Sequence, residues 1–194
     1  MNSDRIIATS LRPTAGFTVI ELIITVAVLA ILVAVATPSF RELSLNNRTT
    51  SATNNLLADL ALARNEAVKV ARTGYVGAAG SGWSDGWTVW VDANGNGSQD
   101  ADEPNLREQG PVDSEDMSAE NSFALRAVGG ATAGTTAITR VGFGPMGQVR
   151  DPVDGARFAI CRPDGDRQKS AGIRIDLSGR AQSMRGLDGL GVAC

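Results

Sequence analysis

An almost unbroken apolar run near the start of the chain is the feature that most constrains its fold. The 20 residues from 17 to 36, FTVIELIITVAVLAILVAVA, include only three polar side chains, those of Thr18, Glu21 and Thr25. At 1.5 Å per residue, a helix of this length spans about 30 Å, the thickness of the hydrocarbon core of a bilayer. Because its apolar surface extends all the way round, the run predicts a membrane-spanning helix rather than a soluble one.

Glu21 is the only charged residue in this run. A carboxylate in hydrocarbon costs several kcal/mol unless it finds a cation or a hydrogen-bond donor, so its presence indicates a function. The alternative is a carboxylate close enough to the helix end to reach the lipid headgroups.

Residues 1–16 form a polar leader that carries Arg5 and Arg12 and ends in Ala15-Gly16. A secretory signal has its small-residue cleavage site after the apolar stretch, whereas here the small residues precede it. Cleavage after Gly16 would leave the helix in the mature protein, with Phe17 as its first residue. Because the leader arginines lie on the N-terminal side, the positive-inside rule places residues 1–16 in the cytoplasm and the rest of the chain across the membrane.

The segment GFTVIEL, residues 16–22, resembles the processing motif of type IV pilins and type II secretion pseudopilins. This resemblance implies that a prepilin peptidase cuts after Gly16 and methylates the new N-terminus at Phe17. It also implies that Glu21 meets the N-terminal amine of a neighbouring subunit during assembly. The expected location is the inner membrane, single-pass, with the C-terminal domain in the periplasm, and afterwards a pilus or pseudopilus.

After Pro38 the pattern becomes amphipathic. Apolar residues recur at helical spacing and predict a buried face that ends near Thr73-Gly74: Leu56, Leu60, Ala63, Ala67 and Ala71. The predicted divisions are the cleaved leader 1–16, the transmembrane or filament-core half of the helix 17–37, its amphipathic half 38–73, and a periplasmic β-rich domain 74–194.

Short β-prone runs separated by glycine-rich turns follow this helix. The predicted strands are WTVWV (87–91), SFALRAV (122–128), AITRVGF (137–143), RFAIC (157–161), GIRIDL (172–177) and GRAQSM (179–184). The expected fold class is therefore α+β and pilin-like, with a long hydrophobic-then-amphipathic helix packed on an antiparallel sheet.

Three later segments resemble the GspH/FimT family of minor pilins and pseudopilins: residues 85–108, 142–149 and 172–182. The resemblance implies a minor pilin that joins, or primes assembly of, a type IV pilus tip complex, with other minor and major pilins as partners. Two alternatives stay open, a pseudopilin of a type II secretion system and a DNA-binding minor pilin for DNA uptake.

The two cysteines, Cys161 and Cys194, fit an oxidising compartment and predict a disulfide, the alternative being two free buried thiols. The chain contains no histidine, which excludes Ser-His and Cys-His catalysis and His-ligated metals. No nucleophile is paired with a base either, so we expect an assembly protein rather than an enzyme, with no required cofactor.

The segment DANGNGSQDADE matches the side-chain pattern of an EF-hand calcium loop. Its residues at loop positions 1, 3, 5, 6, 9 and 12 are Asp92, Asn94, Asn96, Gly97, Asp100 and Glu103. The competing interpretation is a solvated β-hairpin loop in which Asn94-Gly95 and Asn96-Gly97 supply positive φ angles.

A DNA site is a further hypothesis. Proteins similar to FimT have a C-terminal Gly-Arg-x-Arg motif whose arginines contact phosphate, and the corresponding stretch here is Gly179-Arg180-Ala181-Gln182, which lacks the second arginine. The candidate residues are Arg180 and Arg185, with other arginines nearby in sequence. The alternative is a strand whose arginine is solvated or paired with an acid, and the net charge of −3 gives no general affinity for DNA.

Overall fold

The computed structural model describes residues 16–112, 122–132 and 136–194. The chain divides into two compact units, Met1–Leu43 and Ser44–Cys194. Of the predicted leader, only Gly16 lies within the described residues, so Arg5, Arg12 and the rest of the segment predicted to be cytoplasmic lie outside them.

One long helix, α1, covers Val19–Val70 and contains Pro38 in its interior. Among the described residues it is the one helix long and apolar enough to cross a membrane, with a mean hydropathy of 3.0 in its most apolar window. In the first unit its large apolar side chains are exposed, from Val19 to Val35. An apolar surface that the unit itself leaves uncovered is what a membrane or neighbouring helices would bury.

Helix α1 ends three residues earlier than predicted. Its last residue is Val70, and Ala71 adopts a left-handed conformation with φ of 53°, which lets the N–H of Arg72 reach the carbonyl of Ala67. This is the hydrogen bond of a Schellman C-cap. Ala71 is therefore exposed rather than part of the buried face, and Thr73 and Gly74 begin a strand instead of ending the helix.

The second unit contains two antiparallel sheets, which confirms the predicted fold class. The five-stranded sheet has the order β3-β2-β1-β5-β6, and the four-stranded sheet has the order β4-β7-β8-β9. A short 3₁₀-helix, Trp83–Asp85, precedes β2. The strands are β1 (Thr73–Ala78), β2 (Trp87–Asp92), β3 (Asn105–Gln109), β4 (Ala124–Gly129), β5 (Arg140–Phe143), β6 (Val149–Asp151), β7 (Ala156–Cys161), β8 (Ala171–Ile175) and β9 (Ala181–Arg185).

The second half of α1 packs on the inner faces of both sheets and forms one hydrophobic core with them. Leu56 and Leu60 are fully buried in this core, where each contributes about 1.5–3 kcal/mol to folding. The predicted face of Leu56, Leu60, Ala63 and Ala67 is confirmed. The partners of this face come from both sheets: Val76, Val89, Val141 and Phe143 from the first, and Leu125, Phe158, Ile173 and Ile175 from the second.

The C-terminal segment covers the outer face of the four-stranded sheet. Leu187, Leu190 and Val192 are buried there in a second, smaller hydrophobic cluster. The Arg157 side chain, 2% exposed, donates from Nε to the carbonyl of Gly130 (2.8 Å) and from its guanidinium to the carbonyl of Leu190. Cys161 on β7 and Cys194 form a disulfide, as predicted, and this bond fastens the end of the segment to the sheet it covers.

Removing this disulfide should lower the stability of the second unit. The bond links residues 33 apart, for which loop entropy predicts about 3–4 kcal/mol. We therefore expect Cys194→Ser to lower the melting temperature by several degrees in the full chain held in neutral detergent. Circular dichroism under non-reducing conditions measures this change. Two titratable thiols in both native and denatured wild-type protein would contradict the bridge.

Candidate assembly and binding sites

Glu21 lies in the first turn of α1, three residues after Thr18, the N-cap of the helix. Thr18 precedes the helix, and its hydroxyl accepts a hydrogen bond from the backbone N–H of Glu21 (3.2 Å). Thr18-Val19-Ile20-Glu21 matches the S/T-x-x-E pattern that stabilises helix starts, and a carboxylate in the first turn also interacts favourably with the helix dipole. The Thr-x-x-Glu pattern is visible in the sequence, but a helix cap was not predicted there.

The cap leaves the carboxylate of Glu21 without a partner. Within residues 16–112, 122–132 and 136–194, this carboxylate has no hydrogen bond or ion pair, and the residue is exposed. Gly16 and Phe17 directly precede the helix and are exposed as well, Phe17 at 86%. Gly16 and Phe17 are therefore accessible, and Glu21 has no cationic partner among the described residues.

The predicted calcium segment is a loop between β2 and β3 in which the carboxylate oxygens accept hydrogen bonds from N–H groups of the loop itself. The Asp92 carboxylate accepts hydrogen bonds from the N–H groups of Gly95 (2.6 Å) and Gly97 (2.8 Å). Glu103 accepts from the N–H of Ala93 (2.7 Å), and Asp100 accepts from both asparagine side chains, at 2.7 Å each. The glycines have φ angles of 82° and 76°, as the hairpin interpretation requires.

These contacts favour a hairpin loop over a metal site. In the described part of the chain, no three Asp, Glu, Cys or His side chains converge on a point that could hold a metal ion. The Arg140 guanidinium also donates to the carbonyl of Gly97, which places a positive charge against the loop. A bound cation would have to displace the internal donors and tolerate this charge, so calcium binding stays a prediction from sequence.

The two candidate DNA-binding arginines do not converge. Arg180 belongs to the turn before β9 rather than to a strand, while Arg185 is the last residue of β9. Five residues of extended chain separate them by about 16 Å. The Asp176 carboxylate accepts the N–H of Arg180 (3.2 Å). A hydrogen bond from the Ser178 hydroxyl is the main factor that lowers the pKa of Asp176, so Arg180 stands beside an ionised acid.

Two of the other arginines near this region in sequence, Arg162 and Arg167, are held by contacts of their own. Arg162 is buried and contacts Asp164 (2.6 Å) and the side-chain oxygen of Asn46 (2.8 Å). Arg167 donates to the carbonyl of Leu187 (3.5 Å), and Arg174 is half-buried on the face that carries Arg157. Arg162 and Arg167 are therefore already engaged, whereas Arg174 Nε is buried and has no hydrogen-bond partner among the described residues.

We expect the full chain to bind duplex DNA weakly or not at all at physiological salt, because phosphate contacts require several converging cations. Electrophoretic mobility shift at low and physiological salt tests this expectation. A shift at micromolar protein or tighter in physiological salt, abolished by Arg180→Gln and weakened by Arg185→Gln regardless of DNA sequence, would contradict it.

Asp59 is a buried charge that the sequence analysis did not recognise. It is fully buried on the packed face of α1, accepts a hydrogen bond from Trp87 Nε1 (2.8 Å) and pairs with Arg107 on β3 (2.9 Å). The signal was its position, three residues after Leu56 and four before Ala63, which places it on the apolar stripe. This contact fixes α1 against the five-stranded sheet.

Arg64 joins two of the three segments that carried the family resemblance, residues 142–149 and 172–182. Its Nε donates to the carbonyl of Gly147 (2.7 Å), and a second guanidinium nitrogen donates to the carbonyl of Ser178 (3.2 Å). Gly179 has φ of 79°, and a Cβ there would collide with the carbonyl of Gly147. One helix side chain thus holds together a turn from each sheet.

Comparisons with known proteins agree with this architecture. The family model described as type II transport protein GspH matches residues 52–179, and the model of the prokaryotic N-terminal methylation motif matches residues 11–37. A crystal structure of the type IV minor pilin FimU from Pseudomonas aeruginosa PAO1 is similar, with 25% identity and a TM-score of 0.53 over 71% of this chain and 89% of that chain. A second crystal form gives 24% identity and a TM-score of 0.51 over 70% and 91%. No curated protein sequence has significant similarity to the chain.

Proposed function

Because the chain belongs to the GspH family of pilin-like proteins, we propose that it is a minor pilin that joins, or primes assembly of, a type IV pilus tip complex. Its fold is that of a type IV pilin, and its role is that of a minor pilin or pseudopilin. The choice of a pilus rather than another machine is supported by the similarity to FimU, a type IV minor pilin.

The N-terminal helix is the observation that carries this proposal. Its large apolar side chains are exposed in the first unit, and the carboxylate of Glu21 has no partner among the described residues. A helix of this kind suits two environments in turn, the lipid bilayer and then a bundle of identical or related helices. The methylation motif at residues 11–37 supports the same order of events.

The further steps of the proposal follow from this helix. The subunit enters the inner membrane with residues 1–16 in the cytoplasm and its second unit in the periplasm. Prepilin peptidase removes the leader after Gly16, and the subunit then leaves the membrane with other minor and major pilins as partners. In the assembly, Glu21 pairs with the N-terminal amine of a neighbouring subunit.

The second candidate is a pseudopilin of a type II secretion system, which the GspH description of the matching family favours. Deletion and complementation in the source bacterium separate the two. Loss of surface pili and twitching with normal secretion of extracellular enzymes supports the pilus. Loss of secretion with normal pili supports the secretion system and contradicts the first proposal.

The N-terminus of the mature protein gives a direct test. We expect mass spectrometry of membrane-purified protein to show methylated Phe17 as the first residue. Gly16→Glu should leave the leader attached, because the peptidase requires a small residue there, and Gly16→Ala should still be processed in part. A mature N-terminus beyond Ala36 would make the apolar run a removed secretory signal and would contradict an assembly role for it.

A further inference from the structure

A cavity of about 360 Å³ lies beside the C-terminal end of α1 and brings three arginines together. Arg72 follows the helix cap, Arg140 lies on β5, and Arg150 lies on the adjacent strand β6. The rest of the wall includes Tyr75, Asp92 at the end of β2, and Gly95, Asn96 and Gly97 of the β2–β3 loop. The volume falls at the lower end of the range for small-molecule sites in proteins, roughly 300–1,000 Å³.

The sheet itself builds the floor of this cavity. Tyr75 pairs with Gly142 on β5, and the absence of a Cβ at Gly142 leaves the space that the tyrosine ring occupies. The Tyr75 ring stacks on Trp90, with 5.4 Å between the ring centroids. The Arg140 guanidinium lies over the same tyrosine ring, with its Cζ 5.4 Å from the ring centroid. Burial, followed by the Asp151 charge, raises the pKa of Tyr75, so the phenol is neutral and able to donate a hydrogen bond.

The two carboxylates beside the arginines are already engaged. Asp151 accepts from Arg140 Nε (2.7 Å), and the Asp92 oxygens accept the N–H groups of Gly95 and Gly97. By contrast, the Arg72 and Arg150 side chains have no hydrogen bond or ion pair with any other described residue, and both residues are exposed. Two guanidinium groups therefore border the cavity with their donors unused.

We propose that this cavity binds a small ligand through a terminal oxyanion, either a phosphate monoester or a carboxylate. Guanidinium groups donate pairs of N–H bonds that match the oxygens of these anions, and such charge-assisted bonds are stronger than neutral ones. Arg72 and Arg150 bind the oxyanion, Arg140 is the positioning residue held by Asp151, and the Tyr75 ring forms the floor under the remainder of the ligand. The site lies in the second unit and is independent of the assembly function of the helix.

Chemical-shift titration of the full ¹⁵N-labelled chain in neutral detergent tests the proposal at constant ionic strength. The probes are inorganic phosphate, glucuronate and glucose. We expect saturable shifts of the backbone amides of Thr73, Gly95 and Gly97 with phosphate, glucuronate or both, and none with glucose. The anion that binds with the lower Kd indicates whether the natural ligand carries a phosphate or a carboxylate group.

Substitutions on and off the cavity provide the controls. Arg72→Gln and Arg150→Gln should each weaken binding at least about tenfold, the usual loss when a charged hydrogen bond is removed. Arg126→Gln, at an exposed position on β4 outside the cavity, should leave the affinity unchanged. Equal binding by Arg150→Gln and wild-type protein, equal losses in Arg126→Gln, or shifts with glucose as large as those with the anions would each overturn the proposal.

Discussion

Glu21→Ala should give a processed, membrane-inserted subunit that no longer joins or primes the assembly. The carboxylate has no partner within the described residues, so its removal takes nothing from the second unit, which folds around residues from Ser44 onward. In the assembly that we propose, by contrast, the variant would leave the neighbouring N-terminal amine uncompensated in an apolar environment, which costs several kcal/mol. Immunoblots of sheared pili and of membrane fractions measure the two pools separately.

The Thr18 cap makes a sharper comparison possible. Glu21→Gln keeps a side chain that suits position N3 of a helix but removes the charge, whereas Thr18→Ala removes the cap and keeps the charge. We expect Glu21→Gln to fail in assembly and Thr18→Ala to assemble. The opposite result would mean that Glu21 serves the start of the helix and not the contact between subunits.

Arg107→Ala should lower the free energy of unfolding of the second unit by about 3 kcal/mol. Asp59 would then remain fully buried with a hydrogen bond from Trp87 alone. Loss of one partner of a buried ion pair costs about 3–5 kcal/mol, and the Arg107 side chain is 52% exposed, which places the effect at the lower end. For a unit of this size, the melting temperature should fall by roughly 6–12 °C, measured by circular dichroism in neutral detergent.

A double-mutant cycle isolates the pair. Asp59→Asn keeps an acceptor for Trp87 and removes the buried charge, so in the Asn background Arg107→Ala should cost much less than it does alone. Lys69→Ala serves as the matched surface control, because the Lys69–Glu66 pair is exposed and contributes less than about 1 kcal/mol. Additive effects of Asp59→Asn and Arg107→Ala would show that the ion pair contributes nothing to stability.

Periodicity in the sequence predicted the elements whose two faces differ most. The buried stripe from Leu56 to Ala67 and the strands of the four-stranded sheet follow helical spacing and β-prone composition closely. Three strands were not predicted. β1 contains two glycines, β3 reads NLREQ and is largely exposed, and β6 has only three residues, so pairing with neighbours rather than local preference makes them strands.

The residues that join distant elements were harder to predict. Nothing local indicates that Arg64 meets Gly147 and Ser178, which lie 83 and 114 positions further along the chain. The arginine-lined cavity was hard to predict for the same reason, since Arg72 lies in the turn between α1 and β1, Arg140 on β5 and Arg150 on β6. The calcium hypothesis failed to anticipate local geometry. The residue types match a calcium loop, but they do not determine where the side-chain oxygens point, and here those oxygens accept hydrogen bonds from N–H groups of the loop itself.

The position of Arg64 has a consequence for how the second unit opens. Its guanidinium is bonded to one turn of each sheet, so neither turn can detach without breaking a bond that also restrains the other. Amide hydrogens in the 144–149 and 176–180 segments should therefore exchange with solvent in a single correlated opening, although they belong to different sheets. The two sheets would then behave as one cooperative unit under mechanical load.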